Sequence, residues 1–364
     1  MKILHAVLSQ GFYGSERHCI ELATAQARAG HQVAVVIHDG DSPCARAFRD
    51  EIAATQAAIA REGGAGAIRL IVMPRRLPAA LHRAFALWTL IRLRPHIVHT
   101  HLNPAARRIG RIAQMRGIPH VATLHIRYEP REHGGCDGLV CVAAWQRATL
   151  DATFRGEVAV VGGWVPATIH AALACLTPQE VAQLRARWRA DGRTIVFGSV
   201  GRLIAEKGMD VLIGAFRAAF RQGDEPVRLV IAGDGPQQRE LQQLAAGDAR
   251  IAFIGTLPEI APVYRAFDIY VSAARFEPFG LTMLEAMDAG CALVVTRTEG
   301  PREFLKEERV LWAEPSDVTM LAAQLSAAAA RGRQRIPYDL TRFARAHAVA
   351  GIEAFYAAVL ARRK

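Results

Sequence analysis

Short apolar runs alternate with amphipathic stretches along this chain, and they do so in two successive series. In the first, the pattern predicts strands at residues 3–9, 32–38, 68–72, 96–99, 120–125, 138–142 and 158–161. Between them it predicts helices at 15–29, a helical stretch after 38 through about 61, and helices at 78–92, at 104–116 and from 143. The second series has strands at 195–200, 228–232, 251–254, 269–272, 293–296 and 310–312, with helices at 209–221, 236–246, 258–267, 281–289 and 317–330. Strands that are apolar throughout, rather than alternating, are covered on both faces, as in parallel sheets. Parallel strands need crossover helices, so each series predicts an α/β doubly wound sheet. The expected architecture is two Rossmann-like domains, residues 1–165 and 166–339, with the turn at Gly162-Gly163-Trp164-Val165-Pro166 between them. A last helix over about 340–364 is expected to pack back on the first domain.

Composition narrows the setting. The chain has 364 residues, ample for two cores. No run of eighteen apolar residues occurs, so no membrane span is expected, and the start has no cleavable signal pattern. Six scattered cysteines without a second close pair give no metal framework and fit a reducing, cytoplasmic location. The net charge of +11 is concentrated: thirteen arginines against Glu62 and Glu129 between Arg61 and Arg131 carry the whole excess. With no nucleic-acid-binding motif, the expected partner of that stretch is an anionic acceptor or an anionic membrane surface, peripherally on its inner face, and not nucleic acid.

The chemistry concentrates in residues 276–290. Pro278 and Gly280 break helix just after Glu277, and residues 281–289 then form a short helix stopped by Gly290. The backbone amides of Phe279, Gly280 and Leu281 are thus expected at a helix N-terminus, where anions bind. Glu285, one turn further in, has the reach to accept from a ribose, and Glu277 from the hydroxyls of a sugar.

Four further segments add to this. Arg202 and Lys207 follow the first strand of the second domain, at the carboxyl edge where ligands bind, and two cations there suit a diphosphate. Only four lysines occur in the chain, so Lys207 is not background composition. Gly233, in Gly233-Asp234-Gly235-Pro236, opens a strand-to-helix turn of the same sheet. Gly14, in Gly11-Phe12-Tyr13-Gly14, precedes the first helix with Gly-x-x-Gly spacing, which is not a dinucleotide fingerprint. His99, His101 and His125 sit at strand ends of the first domain, and at least one of them is expected at a ligand.

In order, V-G-R-L, K-G, G-D-G-P, F-I-G and E-P-F-G-L-x-x-x-E-A-M-x-x-G between Val200 and Gly290 resemble the retaining nucleotide-sugar glycosyltransferases of the GT-B fold. That group includes bacterial mannosyl- and glucosyltransferases of lipopolysaccharide and lipids. The resemblance implies two Rossmann-like domains facing each other across a cleft. It implies transfer of a hexose from a UDP- or GDP-hexose to a cell-envelope glycan or glycolipid, with retention. It assigns Arg202 and Lys207 to the donor diphosphate, Glu285 to the ribose, and Glu277 with the amides of Phe279, Gly280 and Leu281 to the transferred sugar. Gly14 and Gly233 join the donor site, and His125 lines the transferred sugar. His101, Arg107 and Arg127 are expected on the acceptor side. No cofactor is implied, and with cations at the leaving phosphate no metal is expected. The segment at 162–165 departs from the Asn-Gly-Val-Asp that the group often carries.

Two other readings share this donor grip. A nucleotide-sugar 2-epimerase would act without acceptor, and a non-catalytic nucleotide-sugar binder would not turn over. The missing glycine fingerprint argues against a dehydrogenase, and the four lysines offer no cofactor site for a phosphorylase.

Overall fold

The computed structural model describes every residue except 10, 39–41, 224 and 364, and the side chain of Glu307. Two compact units result: Met1–Gly163 with Ala346–Lys364, and Trp164–Arg345.

Unit 1 is built on seven parallel strands: β1 (Lys2–Val7), β2 (Gln32–His38), β3 (Ala67–Met73), β4 (Ile97–His101), β5 (His120–Leu124), β6 (Gly138–Cys141) and β7 (Glu157–Val160). Their order is β3-β2-β1-β4-β5-β6-β7, reversing direction of growth between β1 and β4. The inner strands are buried along nearly their whole length; the interior of β2 is wholly apolar, whereas β1, β4 and β5 also bury His5, His99, Thr100, His101, His120 and Thr123. The closing helix Arg345–Ala361 belongs to this unit. Its Phe355 and Val359 press on Gly138 so closely that a Cβ there would lie 2.5 Å from the Phe355 ring.

Unit 2 has six parallel strands: β8 (Ile195–Val200), β9 (Val227–Ala232), β10 (Ile251–Gly255), β11 (Ile269–Ser272), β12 (Ala292–Thr296) and β13 (Val310–Ala313). The order is β10-β9-β8-β11-β12-β13, so the reversal falls between β8 and β11. Phe197, Leu212, Phe216, Leu229, Val271 and Leu325 form the centre of its core. Each unit is therefore a doubly wound α/β sheet. In such sheets ligands bind outside the carboxyl ends of the strands at the reversal.

Three local differences from the sequence pattern have physical causes. The stretch 104–116 is interrupted by a π turn at Ala106–Gly110. Gly110 there abuts His120, whose ring would lie 2.2 Å from an added Cβ. The helix expected from 258 begins at Ala261, with Pro262 in its first turn, where a missing N–H costs nothing. Helices Ala167–Cys175 and Pro178–Arg187 occupy a stretch where the apolar pattern predicts none. The first is apolar with little contrast between faces. The second is announced by Thr177-x-x-Glu180, where Glu180 accepts from the Thr177 amide at 2.8 Å and Thr177 Oγ1 from the Glu180 amide at 3.3 Å.

Candidate functional site

The reversal point of unit 2 brings together the loops that follow β8, β9 and β11. After β8 the chain runs through Gly201 and Arg202 into a 3-10 turn, Ala205–Lys207, ended by Gly208 at φ +62°. Gly208 has no alternative: a Cβ would lie 2.0 Å from the Ala273 carbonyl oxygen. After β9, Gly233 adopts φ +130°, and its Cβ would lie 1.9 Å from the Gly201 carbonyl oxygen. Backbone bonds lock the two loops, Leu203 N–H donating to Asp234 at 2.7 Å and Gln237 N–H to Leu203 at 3.1 Å. These glycines let three backbones meet where side chains would hold them apart.

Lys207 and Glu277 meet across this point. The Lys207 ammonium donates to Glu277 Oε2 at 2.6 Å, and Glu277 is buried to all but 8%. A carboxylate so enclosed needs its counter-ion. Arg275, two residues earlier, fixes the lysine's turn. Its amide donates to the Glu206 carbonyl at 2.8 Å and its guanidinium to the Ala205 carbonyl at 2.7 Å. The same guanidinium grips Asp210 at 2.9 and 2.6 Å, which holds the Asp210 carboxyl below its usual range. Arg275 was not among the residues expected at the site; its only sequence signal is adjacency to Phe276 and Glu277.

Beyond Glu277 the chain turns through Pro278, Phe279 and Gly280 into the helix Leu281–Asp288, with Gly280 at φ +112° as its N-cap. Gly300 packs under the turn, where a Cβ would lie 2.5 Å from the Phe279 Cα. Phe279 stacks on Phe304 with centroids 5.0 Å apart. The turn is thus clamped from below, and the amides of Leu281 and Thr282 come before the first bond of the helix, which the Met283 N–H donates to the Gly280 carbonyl at 3.0 Å. Glu285 is buried on the second turn and accepts from the Tyr264 hydroxyl at 2.6 Å. Tyr270, which both glutamates influence, donates to Thr282 Oγ1 at 2.7 Å. Burial first, and then both carboxylates, push its hydroxyl well above the ordinary tyrosine range. Tyr264 was likewise missed, since it lies 21 residues from its partner with no local pattern to mark it.

Arg202, Lys207, Gly233, Glu277, Phe279, Gly280, Leu281 and Glu285 all belong to unit 2. Arg202 is exposed on the loop whose other end carries Lys207. A cavity of about 450 Å³ in the same unit, lined by Arg265, Met287, Asp288 and Tyr338, contains none of these residues.

The remaining expected residues belong to unit 1. Gly14 opens the helix Gly14–Arg28. The anion position at that helix start is held by the chain itself, because Glu16 accepts from the Tyr13 amide at 2.9 Å and from Ser15 at 3.1 Å. Arg107 pairs with Glu132 at 2.9 Å, and Arg127 is exposed. His101 is wholly buried, and Leu102 after it takes φ +68°, a costly value for leucine.

His101 lies in a cluster of histidines drawn from the middle of β1 (His5), the end of β4 (His99, His101), the residue after β5 (His125) and the helix Gly14–Arg28 (His18). His5 Nδ1 is 3.2 Å from His101 Nε2, and His101 Nδ1 is 3.0 Å from His125 Nε2. His99 stacks on His101 at 4.5 Å between centroids and bonds Thr123 at 2.7 Å and the Tyr356 hydroxyl. His18 meets His125 edge-on at 5.0 Å. Burial lowers the pKa of His5 to about 4 and that of His125 to about 3, and drives His18, His99 and His101 well below the ordinary range. Ring nitrogens of His18, His101 and His125 lie within 4.8 Å of one another, a spacing that can hold a transition metal. Both nitrogens of His101 are already in bonds to histidines, so a cation there would have to break them. One Asp-x-Asp spacing, Asp39-Gly40-Asp41, also occurs and lies outside the described residues.

Residues 12–166 match the family described as Glycosyltransferase Family 4, and residues 194–331 match Glycosyl transferases group 1. The chain is 35% identical over 126 residues to a GDP-mannose-dependent alpha-mannosyltransferase of Corynebacterium glutamicum, covering 34% of this chain and only 28% of that relative. It is 29% identical over 343 residues to a glycogen synthase of Mycobacterium tuberculosis, covering 85% of this chain and 81% of that relative. Among solved structures, a glycosyltransferase from Rickettsia africae has a TM-score of 0.78 at 16% identity, covering 99% of this chain and 98% of that one. HepE of Anabaena in complex with UDP-glucose has a TM-score of 0.73 at 19% identity, with both chains fully covered. These last two likenesses concern the fold.

Proposed function

This chain belongs to the glycosyltransferases of the GT-B fold, and on that premise we propose that it transfers a hexose from a UDP- or GDP-hexose to a cell-envelope glycan or glycolipid, such as a lipopolysaccharide core. Transfer proceeds with retention of configuration and without a divalent metal. The observation that carries this reading is the Lys207–Glu277 pair at 2.6 Å, set beside a helix N-terminus at the reversal point of the unit 2 sheet. Transfer builds negative charge on the leaving phosphate and positive charge at the anomeric carbon. Arg202, Lys207 and the first-turn amides after Gly280 oppose the first charge. Glu277, its other oxygen directed to sugar hydroxyls, orients the donor and opposes the second. Glu285, held by Tyr264, is assigned to the ribose. His125 is assigned to the transferred sugar, Gly14 and Gly233 to the donor site, and Arg107 and Arg127 to the acceptor side; His101, expected there too, is buried with both ring nitrogens bonded to histidines and so supports the site from behind. The departing phosphate takes the acceptor's proton on the same face, so no protein nucleophile is required.

An anionic acceptor at a membrane surface is supported by unit 1. In the helix Ala79–Leu93, His82, Ala86, Thr89, Leu90 and Leu93 are buried, while Leu81 (52%), Trp88 (55%) and Ile91 (53%) are exposed beside Arg83 and Arg92. Among the described residues no helix is long and apolar enough to cross a membrane.

The test is a transfer assay with UDP- and GDP-hexoses and a lipopolysaccharide-core acceptor, run with EDTA and with magnesium. The expected result is nucleotide release only when acceptor is present, a product with the donor's anomeric configuration, and no effect of chelator. Epimerised nucleotide sugar formed without acceptor would overturn the transferase reading. Activity lost to EDTA and restored by magnesium or manganese would overturn the metal-free chemistry.

A further inference from the structure

Unit 1 has a line of buried polar side chains that the proposed chemistry leaves unexplained. It starts at Gln26 on the helix Gly14–Arg28, passes through His5 at β1 and His101 at the end of β4, and ends at His125 just after β5. Gln26 and His101 are wholly buried, as is His5, whereas His125 is partly exposed. The links are short: Gln26 Oε1 to His5 Nε2 at 2.8 Å, His5 Nδ1 to His101 Nε2 at 3.2 Å, and His101 Nδ1 to His125 Nε2 at 3.0 Å.

A neutral imidazole has one N–H and one lone pair, so each link constrains the next. With the Gln26 amide set so that its oxygen, which can only accept, faces His5, His5 Nε2 carries the proton. His5 Nδ1 is then an acceptor and takes the proton of His101 Nε2. His101 Nδ1 is in turn an acceptor and takes the proton of His125 Nε2. The lone pair of His125 is thereby left on Nδ1. Burial keeps the members neutral, because a protonated ring would put two donors where the line has room for one. The line also accounts for histidines on three neighbouring strands, where apolar residues would fill the same core without setting any direction.

We propose that Gln26 is a positioning residue that, through His5 and His101, fixes His125 as the Nε2–H tautomer and leaves Nδ1 as a hydrogen-bond acceptor for a hydroxyl of a bound sugar. Only the last part rests on the glycosyltransferase reading; the tautomer itself does not.

Nitrogen-15 NMR of the full chain, labelled on histidine, tests it. The wild-type protein should show His125 neutral with its proton on Nε2. In Gln26→Leu the line loses its fixed end, and His125 should become a mixture of tautomers. In donor turnover, Gln26→Leu should lower kcat/KM roughly three- to tenfold, the worth of one hydrogen bond. A wild-type His125 protonated on Nδ1 would overturn the proposal, whether or not the leucine variant folds. So would a His125 tautomer indifferent to Gln26→Leu. Added UDP-glucose or GDP-mannose should shift His125 Nδ1. The expected tautomer with no response to either would uphold the line from Gln26 and overturn the assignment of His125 to the sugar.

Discussion

Lys207 and Glu277, 70 residues apart in sequence, form one ion pair in which a nearly buried carboxylate and a partly exposed ammonium share a 2.6 Å hydrogen bond. The lysine assigned to the diphosphate and the glutamate assigned to the sugar are therefore coupled. Lys207→Ala, like Arg202→Ala, should lower affinity for UDP or GDP roughly ten- to a hundredfold by removing a charge-assisted contact. Glu277→Gln frees the ammonium, so nucleotide affinity should hold or rise while transfer falls. The double variant should depart from additivity, as contacting residues do. Calorimetry in which both single variants weaken nucleotide equally would contradict this division of roles.

Glu285 is held by the buried Tyr264 hydroxyl at 2.6 Å. Tyr264→Phe leaves a buried carboxylate short of a donor, at a cost of about 1.5–3 kcal/mol in stability. Glu285→Gln should weaken every ligand with the nucleoside, free nucleotide included. Denaturant midpoints and nucleotide titrations check the two halves separately; a stable Tyr264→Phe protein would mean that the bond contributes little.

Gly208 tolerates no side chain, because it combines φ +62° with an approach of 2.0 Å between an added Cβ and the Ala273 oxygen. Gly208→Ala should cost at least about 2 kcal/mol and displace Lys207. Gly30 also has positive φ, at +91°, but nothing lies within 4 Å of its Cβ position. Gly30→Ala should therefore cost less and leave nucleotide binding unchanged. Equal melting temperatures for the two variants would sink the argument from close approach.

Acid should destabilise unit 1 before the carboxylates are protonated. His5 is lowered to about 4, and His120 and His125 to about 3, chiefly by burial. In the unfolded chain these groups take up protons near their ordinary value of about 6.5, whereas the folded state resists. Stability is then fully present above about pH 6.5 and falls as pH drops toward 4, each group adding up to about 1.4 kcal/mol per pH unit. Chemical denaturation at pH 7.5, 6 and 5 should show the loss. A flat profile would mean that these rings are solvated.

The exposed Leu81, Trp88 and Ile91, with Arg83 and Arg92 on the same helix and Arg75, Arg76 and Arg94 flanking it, predict reversible attachment to anionic lipid. Each basic residue near such a surface contributes about 1 kcal/mol, screened within about 8–10 Å at ordinary salt. The protein should co-float with vesicles rich in phosphatidylglycerol, less so at high salt, and not with neutral ones. Flotation indifferent to charge and salt would point to apolar insertion instead.

The two doubly wound sheets were legible in the sequence because a strand buried on both faces leaves an unbroken apolar run, whatever its partners. Gln32–His38, Ile195–Val200 and Ile269–Ser272 carry that pattern to the residue. The turn around Glu277 was legible too, since proline and glycine act on their own backbone. Pairing was not legible. Lys207 finds Glu277, Tyr264 finds Glu285, Arg275 finds Asp210, and Gln26 finds His5 only once strand order has set which loops are neighbours. In the sequence His101 and His125 stand at two strand ends and His5 inside a third strand, with nothing to link them. Their shared proton direction exists only where β1, β4 and β5 lie side by side, because a hydrogen bond is fixed by distance between folded elements and not by spacing along the chain.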